Sequence, residues 1–215
     1  MSNLDIGLII IIILLLFHSN IKETFEAVFL SKKICNNIDG RCYLVSSKYE
    51  DNTFIHASEK LAIINKKLIE LLRFLRNKYI WNNNPNEYRT EMVRRLLSLY
   101  NPDNLIENAP EGIVNTSFVE DKGRVFAVCL REKLSGKFLF EETDTLLFVA
   151  LHELSHIANK TWKHGNEYWH DFKIILEEAV ESGLYIPINY KFHNVNYCGL
   201  SISYNPFFDT SIITK

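Results

Sequence analysis

The sequence predicts an α+β fold: helices packed on a small mixed or antiparallel sheet, preceded by an apolar N-terminal anchor helix. Three observations predict it. Apolar residues recur at the helical period over Ala57 to Tyr79 and again in later segments. Short extended runs lie between these helices, bounded by glycine-containing turns. Residues 4–17 form an apolar run in which Asp5 is the one charge.

The N-terminal run reads LDIGLIIIIILLLF. Fourteen residues fall short of the roughly twenty that span a bilayer, and extension through His18-Ser19-Asn20-Ile21 brings the segment near that length. A cleaved signal peptide calls for a positive start and a small-residue cleavage site, and neither Met-Ser-Asn-Leu-Asp nor FHSN supplies one. Residues 1–21 are therefore expected to be a single-pass membrane anchor and residues 22–38 a juxtamembrane segment. A folded domain is expected over 39–205, with a surface tail over 206–215. Lys22, Lys32 and Lys33 follow the apolar run and no Lys or Arg precedes it, which places the domain on the cytosolic side. Free thiols at Cys35, Cys42, Cys129 and Cys198 go with that placement. In an oxidising compartment Cys35 and Cys42 could close a small loop, and four cysteines admit three full pairings. They form no CxxC pair, which argues against a cysteine zinc site.

Asp39-Gly40 reads as a turn into a strand over Arg41 to Ser46. The first strong helix carries Leu61, Ile64, Leu68, Leu71, Leu72 and Leu75 on one face. Trp81-Asn-Asn-Asn-Pro-Asn86 breaks it, and Glu87 to Tyr100 follows as a helix stopped before Pro102. Ser117 to Glu120 and Arg124 to Leu130 flank a hairpin turn at Asp121-Lys122-Gly123. Glu141 to Asn159 reads as a well-buried helix with Thr143 or Asp144 as N-cap, and Asn166 to Ser182 as a second helix with Gly183 as its C-terminal cap. Leu184 to Ile188 and Val195 to Tyr204 look extended.

The formal net charge is −2, and no long run of Lys and Arg occurs, so the chain does not read as a generic nucleic-acid binder. The clusters Arg73-Arg76-Lys78 and Arg89-Arg94-Arg95 read as solvated helix faces.

One stretch writes out a chemistry. His152-Glu153-Leu154-Ser155-His156 is an HExxH motif. Positions four apart on a helix share a face, so two imidazoles can aim at one metal ion, with Glu153 beside them to take a proton from an activated water. A chance HExxH would arise in roughly two of a hundred chains of this His and Glu content. Its apolar setting (Phe148, Val149, Ala150, Leu151, Leu154, Ile157, Ala158) argues against two surface histidines, because buried polar groups need partners. A catalytic zinc takes three protein ligands. The candidates for the third are His164, His170 and the glutamates Glu177, Glu178 and Glu181. His18, His56 and His193 show no ligand spacing. Tyr190, Tyr197, Tyr204 and His170 are candidates to stabilise an oxyanion, and no spacing rule selects among them.

HELSH followed by His164-Gly165-Asn166-Glu167-Tyr168-Trp169 resembles the HExxH…HGxxFW pattern of the SprT-like and WLM-type zinc metallopeptidases. Asp39 to Val45, Phe148 to Ile157 and Tyr197-Cys198-Gly199 are similar to segments of the small WLM-like proteins of large DNA viruses. The resemblance implies a zincin-like fold and Zn2+ held by His152, His156 and His164. It also implies Glu153 as general base, with Gly165, Tyr168 and Trp169 in a helix that packs on the active-site helix. The spacing from His156 to His164 is longer than in some of these families and shorter than in others. The function expected is a membrane-anchored zinc metallopeptidase acting on a peptide or protein substrate. A strand edge near the active-site helix could hold an extended substrate; Phe126 to Leu130 is a candidate for it, with the role of an ordinary core strand favoured for the same residues. The alternatives are a zinc-stabilised scaffold without activity and a soluble protease for DNA–protein crosslinks.

Overall fold

The computed structural model describes residues 31–47, 53–82, 84–108, 116–131 and 140–214. The proposed anchor over 1–21 lies outside the described residues. Among the described residues no helix is long and apolar enough to cross a membrane.

The architecture is α+β. Strands β1 (Ser31–Cys35) and β2 (Cys42–Ser46) form an antiparallel hairpin. Residues 31–35 of the expected juxtamembrane stretch are thus strand, part of the folded unit. Helix α1 (Thr53–Leu75) follows and runs into a π-helical turn at Arg76–Trp81. Its predicted face is the one that packs: Leu61, Ile64, Leu68, Leu71, Leu72 and Leu75 are all buried. Helix α2 (Glu87–Leu99) is capped by Asn86, whose side chain accepts from the Arg89 N–H.

Strands β3 (Leu105–Glu107), β4 (Phe118–Glu120) and β5 (Val125–Val128) make a mixed sheet in the order β3-β5-β4. β3 runs parallel to β5, and β4 is its antiparallel hairpin partner. β5 is therefore central and its Phe126, Ala127 and Val128 are buried, which gives this segment the core-strand role the sequence favours over that of a substrate-binding edge. Among the described residues β3 and β4 are the outer strands of this sheet; β3 packs on α1 and β4 on the helix that carries HELSH. The hairpin turn has positive φ at Asp121 (44°), Lys122 (54°) and Gly123 (113°). Gly123 is required there for a second reason: a Cβ would lie 3.0 Å from the Leu99 carbonyl oxygen and 3.2 Å from Ile157 Cδ1. The turn is thereby held close to the helix that carries HELSH.

That helix, α3 (Thr143–Ala158), and α4 (Asn166–Glu181) pack against each other over the common core. Glu142, not Thr143 or Asp144, is the N-cap of α3 and gives no side-chain bond. The Thr143 hydroxyl is engaged by Lys60 instead (3.1 Å). α4 ends as expected at Gly183 (φ 74°), whose N–H meets the Val180 carbonyl while the Leu184 N–H meets that of Ala179. β6 (Val195–Tyr197) and β7 (Leu200–Ile202) form a hairpin turning at Cys198 and Gly199. Leu184 to Ile188 is irregular. The last residues do not trail in solvent: Lys173 Nζ on α4 donates to the carbonyls of Asp209 (2.7 Å) and Ile212 (2.8 Å).

Two disulfides correct the free-thiol expectation. Cys35 and Cys42 are cross-strand partners in the first hairpin. Cys129, just past β5, joins Cys198 in the last hairpin across a Cα separation of 6.4 Å. This second pairing depends on tertiary proximity that spacing does not reveal. With the four cysteines paired, the thiol argument for a cytosolic domain falls away.

Candidate metal centre

His152 and His156 stand one turn apart on α3, with ring centroids 5.2 Å apart. His164 enters from the loop between α3 and α4. Its Nε2 lies 3.3 Å from Nε2 of His152 and 2.9 Å from Nε2 of His156. The three ligand atoms all lie within 4.8 Å of one another. Nitrogens around a tetrahedral zinc sit about 3.3 Å apart when each Zn–N bond is about 2.0–2.1 Å. The cluster therefore fits a borderline-soft dication with a nitrogen donor set. Among the described residues no other group of three His, Cys, Asp or Glu converges in this way.

Electrostatics hold the imidazoles neutral, with lone pairs free to donate. Burial, then the neighbouring histidines His156 and His164, pushes the His152 pKa down to about 3. Burial, then His164 and Lys122, brings His156 down to about 4. Burial lowers His164 as well. Glu153 is buried on α3 and burial raises its carboxyl to about 8 in the metal-free protein.

Helix α4 backs the cluster as the resemblance implied. The buried Tyr168 ring stacks on His156 at 4.5 Å and meets His152 and His164 edge-on, and its hydroxyl donates to the His152 carbonyl at 3.1 Å. Burial, then Glu153, keeps that hydroxyl protonated. Phe172 packs edge-on to His152 at 5.2 Å, and Trp169 lies 5.9 Å from His164. Gly165 is the N-cap residue of α4, in an ordinary extended conformation.

The rival ligands are committed elsewhere. Glu178 is fully buried against Tyr79, Arg89 and Lys78; Glu177 pairs with Arg89 and Glu181 with Lys78. His170 faces Tyr88 and Asp171. His56 pairs with Glu59. Of the oxyanion candidates, Tyr197 donates to the Cys129 carbonyl and meets Ser117, Tyr204 donates to Asp209, and Tyr190 packs on Phe148. None makes a hydrogen bond or ring contact with the three histidines.

Sequence reading missed what positions His164. Lys122, in the β4–β5 turn, donates to the carbonyls of His156 (2.8 Å), Asn159 (2.6 Å) and Thr161 (2.6 Å). It satisfies the orphan C-terminal carbonyls of α3 and ties the ligand loop to the sheet. Asn159 accepts from the Thr161 N–H and hydroxyl and donates to Asp171 on α4 (2.9 Å). Arg95 of α2 reaches the Ala158 carbonyl at 2.8 Å. A lysine in an Asp-Lys-Gly turn signals only a turn, and no spacing rule links it to a helix end more than thirty residues on.

An α+β protein with a three-histidine cluster and an adjoining buried glutamate is the class that the fold and site define. The chain is 30% identical over 199 residues to an uncharacterized protein of Acanthamoeba polyphaga mimivirus, covering 93% of this chain and 94% of that one. It belongs to the family of that viral protein. An uncharacterized protein of Invertebrate iridescent virus 6 is 31% identical over 90 residues, 42% of this chain and 50% of the relative. No protein-family model matches the chain, and no solved structure matches it.

Proposed function

We propose that the protein is a zinc metallopeptidase of zincin-like, WLM/SprT-like type, anchored to a membrane through residues 4–21. The observation that carries this reading is the convergence of His152, His156 and His164 beside Glu153. The three imidazoles would hold Zn2+. When bound, zinc supplies Lewis acidity, which acidifies water and polarises a carbonyl. Glu153, on the turn of α3 between the two helical ligands, takes the proton of the attacking water and passes it to the leaving amine. Tyr168 fixes the rings of His152 and His156 through stacking and its bond to the His152 carbonyl. Strand β4, which lies against α3, offers an edge along which an extended peptide can pair.

Metal analysis of the purified chain tests the first claim. Zinc is expected near one equivalent, and His164→Ala is expected to lose most of it. Zinc below about a tenth of an equivalent in careful preparations, unchanged by that substitution, would overturn the site. Lys122→Met is expected to weaken zinc binding by about ten-fold or more, with Lys122→Arg restoring part of it. The zinc dissociation constant is the readout, compared with the unfolding midpoint of the metal-free protein. A lower midpoint with unchanged zinc affinity would leave Lys122 a purely structural cap.

A further inference from the structure

A cleft of about 680 Å³ opens beside the histidine cluster, between the first turns of α4, Tyr88 of α2 and the chain from Tyr204 to Ile212. Its position follows from the sequence: Glu167 lies three residues after His164, at the start of α4. Trp169 forms a shared wall, with its ring 5.9 Å from His164 on one side and 5.4 Å from Tyr204 on the other. A group seated in the cleft is thus separated from the candidate metal centre by one indole.

The lining has a definite chemistry. Tyr88, Trp169, His170 and Tyr204 supply aromatic surface, and Glu167 and Asp209 supply carboxylates; among the described residues no Lys or Arg lines the cleft. Asp209 is preorganised. Its carboxylate accepts from Tyr204 Oη (2.7 Å), from the Ser211 N–H (2.9 Å) and from Ser211 Oγ (2.6 Å), and these donors hold its pKa down to about 2. Glu167 is exposed and makes no hydrogen bond or ion pair among the described residues. Lys173, the cation beneath this wall, spends its ammonium on the backbone carbonyls of Asp209 and Ile212, which fixes the wall to α4. Aromatic faces and anionic carboxylates around one cavity favour a cation, through ring quadrupoles and charge-assisted hydrogen bonds. They disfavour an acidic group, which would meet like charge.

We propose that this cleft receives a lysine or arginine side chain of the substrate, close to the bond that is cut. The proposal rests on the reading of the histidine cluster as a peptidase centre and adds a substrate class to it. Glu167 and Asp209 are the specificity-determining charges, and Trp169 and Tyr204, packed edge to face on each other, form one aromatic wall against which the side chain's aliphatic stem lies.

The test separates this proposal from the reading beneath it. The zinc-loaded full-length Glu153→Gln protein is titrated with fluorescent peptides identical except for Lys, Arg, norleucine or Glu at one position, and binding is followed by anisotropy. Lys and Arg peptides are expected to bind about ten-fold more tightly than the Glu peptide at low salt. In the further Glu167→Lys, Asp209→Asn background that preference is expected to vanish or invert. Equal binding of all four peptides, no binding of any, or a preference that survives the charge reversal would each overturn the cleft assignment. Cleavage of the same peptides by the Glu153-bearing protein reads the other premise. Cation-selective binding without cleavage defeats the peptidase reading and leaves the cleft. Cleavage without discrimination does the reverse.

Discussion

Replacing Glu153 by glutamine is expected to cut peptide hydrolysis by about three orders of magnitude while zinc stays bound. The amide keeps the size and most of the shape of the carboxylate, so the buried position on α3 stays filled and the histidines keep their places. What it loses is the capacity to accept a proton, and general acid–base groups of this kind contribute roughly 10²–10⁴-fold. Because proton transfer belongs to the transition state, kcat and kcat/KM are expected to fall together with little change in KM. His152→Ala or His156→Ala is expected to abolish activity by a different route, through loss of metal, which metal analysis separates from the Glu153 effect. Identical cleavage products from wild type and Glu153→Gln, at similar rates, would sink the mechanism. A zinc-loaded wild type that cleaves no peptide would return the chain to the scaffold alternative.

Much of the helical fold is legible in the sequence, because a helix records its buried face locally. The apolar period over α1 names the residues that pack, and the Gly183 cap marks where α4 stops within a residue or two. HELSH is legible for the same reason: two ligands and a base lie within one turn and need no tertiary knowledge. His164 is one of several candidates by position and only the family pattern singles it out, since its loop owes its path to Lys122 from the sheet and Asp171 from α4. What failed depends on partners remote in the chain. Strands of three or four residues carry almost no periodic signal, so the order β3-β5-β4 is invisible in the sequence and the strand that forms the edge stays undecided there. β1 reads as juxtamembrane chain because none of its residues is buried, and only its backbone pairing with β2 makes it part of the domain. The final residues read as a tail because their anchor is the side chain of Lys173, more than thirty positions earlier.

The second large effect is expected from the long disulfide. Cys129 and Cys198 are 69 residues apart in sequence, and Cys35 and Cys42 are 7 apart. Closing a loop removes entropy from the unfolded chain in proportion to the logarithm of its length, about 4 kcal/mol for the long bridge and about 2 kcal/mol for the short one at 25 °C. The long bridge also secures more structure. Next to it the Tyr197 hydroxyl donates to the Cys129 carbonyl (2.7 Å), and the Cys198 N–H donates to Glu141 Oε1 (2.9 Å) just ahead of α3. Losing the bridge therefore loosens the β6–β7 hairpin from both the sheet and the base of the active-site helix. Cys129→Ala with Cys198→Ala is expected to lower Tm by roughly 10 °C, and Cys35→Ala with Cys42→Ala by roughly half as much, given about 2–4 °C per kcal/mol for a domain of this size. Calorimetry of the two double variants, with thiol titration of the native protein as a control, decides the matter. Equal losses, or a larger loss from the short loop, would show that chain entropy is not what the long bridge contributes. A loss in the expected order would make the folded domain dependent on an oxidised bridge. That dependence suits an oxidising environment.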